Sequence, residues 1–305
     1  MANFLKSLFK GKSGEQNSEE NNKDKSISKN FDILKYDGIR AQRMGRTDYA
    51  ILCYTKALEL EKDFEVMNYL SQIYAQTDEL DEARDLLEQM IGMEPQIITT
   101  YLVLANVLFL QESYDEMVNT LKKAIAIDEN NANAHYLSAK AQKHLEEYTI
   151  AIQHLTKAIG VREDFIEAIL MRAEIHLQQK DFDKAMTDID KALQIQADEE
   201  HALLLRGKLN EYMEHTQEAE RDYRLVIELN PFHDQAFIYL AQLYIAQEKI
   251  KEAIELCNDA IELNPNSAEL YHERGKAKSI NGDREGSEED MKQAELMMAE
   301  LHPQQ

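Results

Sequence analysis

Tryptophan is absent from this chain, proline occurs four times and glycine ten times in 305 residues, and cysteine is limited to Cys53 and Cys257. So little turn chemistry, beside abundant Ala, Leu, Glu, Lys and Gln, disfavours a sandwich, a barrel or a Rossmann fold and points to helices. The two cysteines are about two hundred residues apart and form no CxxC pair, which excludes a disulfide framework and reads as reduced, buried thiols. No run of eighteen apolar residues exists to span a bilayer as a helix. The opening MANFLKSLFKGK is interrupted by Lys6 and Ser7 and has no small-residue cleavage site, so a cytoplasmic location is expected. Positive charge is also scarce: 34 Lys and Arg face 57 Asp and Glu, a net charge of −23 that repels phosphate backbones. No nucleic-acid partner is expected.

What is present is a 44% apolar content, enough for a core, and a strong internal period. Between Gly11 and Asn30 the only large apolar residue is Ile27, so residues 1–30 read as a flexible tether that cannot offset its ordering entropy. From Phe31 onward small residues recur at Gly38, Ser71, Ala105, Ala139, Ala173, Gly207, Ala241 and Gly275, 33 residues apart once and 34 thereafter. Twelve residues after each comes Ala50, Ala83, Met117, Ala151, Ala185, Ala219, Ala253 or Ser287. Four further on stands a larger residue, Tyr54, Leu87, Leu121, Leu155, Ile189, Tyr223, Cys257 or Met291, and three beyond it Ala57, Met90, Ala124, Ala158, Ala192, Val226, Ala260 or Ala294. Offsets of four and three trace one helix face. Two antiparallel helices approach closely only where one of them contributes no side-chain bulk, so the small positions are a steric requirement.

The unit from Asp234 to Ser267, with Phe237, Leu240, Ala241, Tyr244, Ala253, Ala260 and Pro265, resembles the tetratricopeptide repeat. The tryptophan of that pattern is replaced, in turn, by Leu34, Met67, Tyr101, His135, Ile169, Leu203, Phe237 and Tyr271. The resemblance implies an all-α, right-handed superhelical solenoid of about eight helix-turn-helix repeats, at 31–63, 64–97, 98–131, 132–165, 166–199, 200–233, 234–267 and 268–301, with a tail at 302–305. The last repeat carries Arg274, Lys278, Arg284 and Ser287 where a middle repeat is usually apolar, a polarity that suits a terminal, water-facing unit.

Catalytic signatures are missing: there is no HExxH, nucleophile elbow, GxGxxG, Walker loop or calcium loop. His135, His144 and His154 come closest to clustering but fall at repeat positions 4, 13 and 23, which are expected to point in different directions. No metal, cofactor or enzymatic activity is therefore expected. The resemblance implies instead a protein-interaction scaffold that holds a protein segment or peptide against its first helices. Mapped by repeat position, the contact residues are Asn68, Gln72, Leu102, Asn106, Phe109, Tyr136, Lys140 and Lys143, then Leu170, Glu174, Leu177, Leu204, Lys208, Ile238, Gln242 and Ile245. An apolar stripe rimmed by polar groups marks a binding surface, with Lys140, Lys143 and Lys208 facing acidic groups of the partner. Burial of Leu170 and Leu204 by a tightly wound superhelix is the alternative for those two residues. The carboxylate clamp of chaperone-binding relatives is not reproduced: its best match starts at Lys35 but continues with Ile39, Tyr69, Thr99 and Val103.

A self-associating structural protein is the competing reading. Phe4, Leu5, Leu8 and Phe9 fall on one helical face beside Lys6, Lys10 and Lys12, a pattern that suits weak membrane contact through residues 1–12, docking into the chain's own groove, or a plain disordered tail.

Overall fold

The structure, a computed structural model, describes residues 27–301. Residues 1–26, including the amphipathic start, and residues 302–305 lie outside the described part. Sixteen helices and no strand occur among the described residues. The first eight are α1 (27–43), α2 (Thr47–Leu60), α3 (Phe64–Gln76), α4 (Leu80–Met93), α5 (Ile98–Leu110), α6 (Tyr114–Ile127), α7 (Ala132–His144) and α8 (Tyr148–Val161). They are followed by α9 (Ile166–Gln178), α10 (Phe182–Ile195), α11 (Glu200–Tyr212), α12 (Thr216–Leu229), α13 (Asp234–Ala246), α14 (Ile250–Leu263), α15 (Ala268–Ile280) and α16 (Arg284–Leu301). Helix α1 begins at Ile27, four residues inside the segment that composition assigns to the tether, and Ile27 itself is half-buried.

The chain packs as two compact units, residues up to His154 and residues from Leu155. In the first, α2 to α7 pack each against the next, and α5 also touches α7. Its core joins Met67, Leu87, Leu104, Leu108, Met117 and Leu121. In the second, α9 to α16 pack in the same succession, with α9 on α11 and α13 on α15. Leu203, Tyr223, Leu240, Leu243 and Tyr244 are central to its core.

The turn inside each pair repeats one backbone device. Gly45, Asp78, Glu112, Glu146, Lys180, Glu214, Glu248 and Gly282 all have positive φ, between 55° and 89°. Each lets the next residue's N–H reach back to the carbonyl five residues earlier, as Ser113 does to Leu108 at 2.8 Å and His215 to Asn210 at 2.8 Å. This is the Schellman closure, which satisfies a carbonyl that the helix end would otherwise leave open. Six of the eight residues in this left-handed position are not glycine, so the closure outweighs a local cost of about 1–2 kcal/mol.

Helix crossing inside each pair depends on size matching between the small position and the residue sixteen further on. Glycine stands opposite tyrosine or methionine: Gly38 with Tyr54, Gly207 with Tyr223, Gly275 with Met291. A Cβ on Gly38 would lie 2.5 Å from the Tyr54 ring, and one on Gly207 would overlap the Tyr223 ring. Where the partner is Leu, Ile or Cys, as at Leu87, Leu121, Ile189 and Cys257, the small residue grows to Ser71, Ala105, Ala173 and Ala241. Their burial leaves no slack, since interiors are close-packed.

A second device, a buried ion pair, recurs in the unit from Leu155. Arg172 grips Asp188 through two nitrogens at 2.9 and 2.7 Å, Arg206 grips Asp222 at the same distances, and Arg274 grips Asp290 at 2.8 and 2.6 Å. All three carboxylates are buried. Arg172 also donates to Thr156 and Arg274 to Asn258, sixteen residues back on the preceding second helix, so each guanidinium ties three helices together. These contacts correct the water-facing reading of the last pair at three of its four residues: Arg274 and Lys278 both bind Asp290 and Ser287 is buried, whereas Arg284 is exposed.

Two outcomes follow. Gly207→Ala lowers stability by roughly 1–3 kcal/mol in urea unfolding, and Tyr223→Leu added to it recovers part of that loss, because the pair rather than either residue sets the fit. Equal, additive losses would show that the crossing is not set by this pair. Burial alone would raise the Asp290 carboxyl, but the hydrogen bonds from Arg274 and Lys278 outweigh it and hold the group below the usual carboxylate range. A lowered folded-state value contributes stability that is complete above about pH 4 and is lost as pH falls through that value. Asp290→Asn therefore costs on the order of 3 kcal/mol at neutral pH and flattens the acid limb of a stability–pH curve. An unchanged limb would remove Asp290 from the acid response.

Candidate functional site

Spacing of three and four residues along the first helices puts the mapped contact residues in two groups. In the unit up to His154, Asn68 and Gln72 lie on α3, Leu102, Asn106 and Phe109 on α5, and Tyr136, Lys140 and Lys143 on α7, all half-buried or exposed. Lys140 Nζ sits 3.6 Å from the centroid of the Phe109 ring, and burial lowers its pKa. His144 meets the edge of Phe109 at 5.0 Å and stacks on Tyr114 at 4.7 Å. Here an ammonium and two aromatic rings share one surface, an arrangement that suits an aromatic or anionic side chain of a partner. Tyr114 and His144 were not among the mapped residues; they stand at repeat positions 17 and 13, where the second helix begins and the first one ends.

In the unit from Leu155, α9, α11 and α13 enclose an open cleft of about 460 Å³. Glu174, Leu177, Leu204 and Lys208 line it together with Gln178, His201, Leu205, Tyr212, Gln235 and Tyr239. Lys208 Nζ stands 4.4 Å from the Tyr239 ring centroid, and His201 Nε2 lies 2.9 Å from Glu174 Oε1. Tyr212 stacks on Phe182 at 5.7 Å, the same pair of repeat positions as His144 and Tyr114. Leu170, Leu204 and Ile238 are buried, so the stripe read from the sequence is narrower than mapped. Leu170 and Leu204 lie on α9 and α11, which touch, and Ile238 clusters with Ala260 and Ile261 of α14 and Leu270 of α15. Position 2 of the repeat would have found His201 and Gln235; positions 6 and 13, which supply Tyr239, Gln178 and Tyr212, carried no signal in a single sequence.

Gln242 and Ile245 line a second open cleft, of about 560 Å³, with Glu273, Lys276, Ile280 and Met291. The buried Glu273 accepts from Gln242 at 3.1 Å and from Lys276 at 2.9 Å, so its charge is compensated inside the cleft wall.

The histidines depart from expectation. His135 and His154 do meet, with their Nδ1 atoms 2.9 Å apart, while His135 Nε2 lies 3.0 Å from the Glu129 carbonyl. A carbonyl only accepts, so His135 carries its proton on Nε2 and its Nδ1 accepts from the Nδ1–H of His154. Among the described residues no three His, Cys, Asp or Glu converge as metal ligands.

Comparison with known proteins agrees with this geometry. A family model described as TPR repeat matches residues 105–145 and 241–282. Two models described as tetratricopeptide repeat match 166–199 with 200–233, and 38–96. The chain belongs to the tetratricopeptide repeat family. Proteins of this family are generally protein-interaction scaffolds. Among solved structures, a tetratricopeptide repeat protein from Parabacteroides merdae is similar at a TM-score of 0.64 and 22% identity, covering 77% of this chain and 93% of that one. PilF of Pseudomonas aeruginosa is similar at 0.55 and 16%, covering 70% and 95%. MamA of Desulfovibrio magneticus is similar at 0.52 and 17%, covering 56% and 97%. No curated protein matches the chain. Likeness at these identities concerns the fold alone. No helix among the described residues is long and apolar enough to cross a membrane.

The histidine pair has a measurable consequence. Burial, with the neighbouring His135 adding to it, holds the His154 imidazole below its ordinary pKa. Stability from this group is complete above about pH 6.5 and declines as pH falls from there through the folded-state value. NMR titration should show His154 protonating below about 6.5. A midpoint at or above that value would contradict the buried neutral pair.

Proposed function

We infer that the protein is a non-catalytic scaffold that holds an extended or helical segment of a partner protein against its first helices. The cleft between α9, α11 and α13 is the principal contact. The observation that carries this reading is the composition of that cleft: Leu177 and Tyr239 offer apolar surface, Tyr212 stands open at the rim, and Lys208 lies over a ring instead of against a carboxylate. A partner residue with an apolar body and an acidic neighbour fits such a wall. The half-exposed Glu174–His201 pair adds a polar rim that favours one register of the segment. The cluster of Phe109, Tyr114, Lys140 and His144 is read as a second contact of the same chemistry.

A cytoplasmic address accords with two free, buried cysteines. Neither a cofactor nor a nucleic acid enters this reading, and the acidic chain disfavours the latter.

The test is a chain carrying Lys208→Glu and Tyr212→Ala, both changes on side chains that the core does not need. Proteins captured from native lysate by the wild type should be lost, with affinity for a purified one falling on the order of tenfold or more while the helical spectrum is unchanged. Capture of the same proteins at the same affinity would remove this cleft from the binding surface.

A further inference from the structure

Each first helix meets the second helix of the preceding pair in one antiparallel register. With positions numbered from the first residue of each repeat, Tyr69 at position 6 stacks on Tyr54 at position 24, and Tyr239 packs on Tyr223 at the same two positions. Arg172 and Arg274 at position 7 donate to Thr156 and Asn258 at position 25. Tyr244 at position 11 donates to Glu220 at position 21, and Gln111 at position 14 donates to Asp81 at position 18. A step forward on one helix is a step back on the other, so the register fixes which residues face each other wherever one pair stacks on another.

The first and last helices carry the two halves of this register with no described element in front of them. On α1, Lys29, Ile33, Tyr36, Arg40 and Arg43 are exposed along one face, with the half-buried Asp37 at its edge. Arg40 stands at position 10, where Ile73, Val107, Ile175, Leu209 and Leu243 are buried. On α16, Glu285, Glu288, Lys292 and Glu295 are exposed along one face. Glu295 stands at position 28, which Ile91, Ile125, Ile159, Ile227 and Ile261 hold in earlier repeats.

We propose that a second copy of this chain covers the α1 face with its own α16. Charge complementarity selects this occupant. In the register above, Arg40 at position 10 falls opposite Glu288 at position 21, and Arg43 at position 13 falls opposite Glu285 at position 18. At position 7 the sign on α1 reverses to Asp37, and at position 25 the sign on α16 reverses with it, to Lys292. Position 7 is where Arg172 and Arg274 bind the preceding helix, so a contact across these two positions is already a feature of the stack. Tyr36 at position 6 meets the half-buried Met291 at position 24, in the place of the two tyrosine pairs. Ile33 opposite Glu295 is the one mismatch, and Lys29, a turn earlier on the same face, has the reach to that carboxylate.

Solvation of two free ends calls for charge of either sign. It does not call for opposite signs at three facing positions, one of them inverted on both helices. A basic face built in this way favours one register of an acidic helix and repels the wrong ones. The contact is heterologous, since α1 of one copy meets α16 of the next, and it leaves one face of each kind free for a further copy.

Sedimentation velocity of the full chain tests the proposal, run up to millimolar concentration because exposed ion pairs each contribute little. The expected result is a mean mass that rises with concentration. Arg40→Glu with Arg43→Glu makes both faces acidic, and Glu285→Arg with Glu288→Arg makes both basic. All four side chains are exposed, so each variant should keep the helical spectrum while its self-association weakens about tenfold or more. Mixed in equal amounts, the two variants should assemble again, because each acidic face then meets a basic one. Variants that assemble as the wild type does would overturn the proposal, and so would a mixture that stays as single chains. A wild-type chain that keeps the mass of one copy throughout would overturn it too, and would leave the basic face to an acidic partner of another kind.

Discussion

The fold depends on how closely the two helices of a pair can cross. That distance is set at one point, where a residue with little or no side chain faces a bulky one sixteen positions later. The two sizes are matched: glycine faces tyrosine or methionine and alanine or serine faces leucine, isoleucine or cysteine, so a tyrosine ring at this position is met only by glycine. A close-packed interior enforces this, because an added methyl group at the crossing has no space to enter and a removed one leaves a void. Once the crossing is set, α9 touches α11 and the same repeat positions line up along the cleft between α9, α11 and α13.

Much of this was legible in the sequence because a steric requirement repeated eight times leaves a trace that one occurrence would not. The small positions and their period locate the helices, and every second helix from Thr47 onward begins in the same phase. The left-handed turn residue was not legible. Glycine marks it only at Gly45 and Gly282, and of the other six only Asp78 is of a type enriched at positive φ, the rest being Glu and Lys. Backbone satisfaction decides there: the closing hydrogen bonds from the following residue hold the conformation whatever the side chain.

Charged residues were the hardest to read. Arg274 and Lys278 look like a solvated terminal face when seen one at a time, but their shared partner, Asp290, lies on the next helix, sixteen residues from Arg274 like the small and bulky pair, and within reach of Lys278 too. Arg172 with Asp188 and Arg206 with Asp222 repeat that spacing, and the threefold recurrence was the available signal. The histidines failed for a related reason. His135 and His154 occupy repeat positions 4 and 23, which are unrelated along either helix but adjacent across the crossing. Leu170, Leu204 and Ile238 failed in the opposite direction, since their positions are open only if neighbouring first helices stand apart, and these touch.

The division of labour among the basic residues bears on how the clefts work. In a chain with 34 cations against 57 anions, carboxylates to neutralise a lysine are never far away. Arginine, with its planar fork, is used where two oxygens of a buried aspartate must be gripped at fixed geometry. Lys140 and Lys208, by contrast, rest over the rings of Phe109 and Tyr239. A ring attracts an ammonium without cancelling its charge, and it holds the flexible stem in place. An acidic group arriving at either lysine therefore meets a positioned charge and need not displace an internal carboxylate, whereas the same group arriving at Arg172, Arg206 or Arg274 would have to break a buried pair. The surplus of negative charge elsewhere on the chain makes these two lysines stand out electrostatically on a surface that otherwise repels acidic groups.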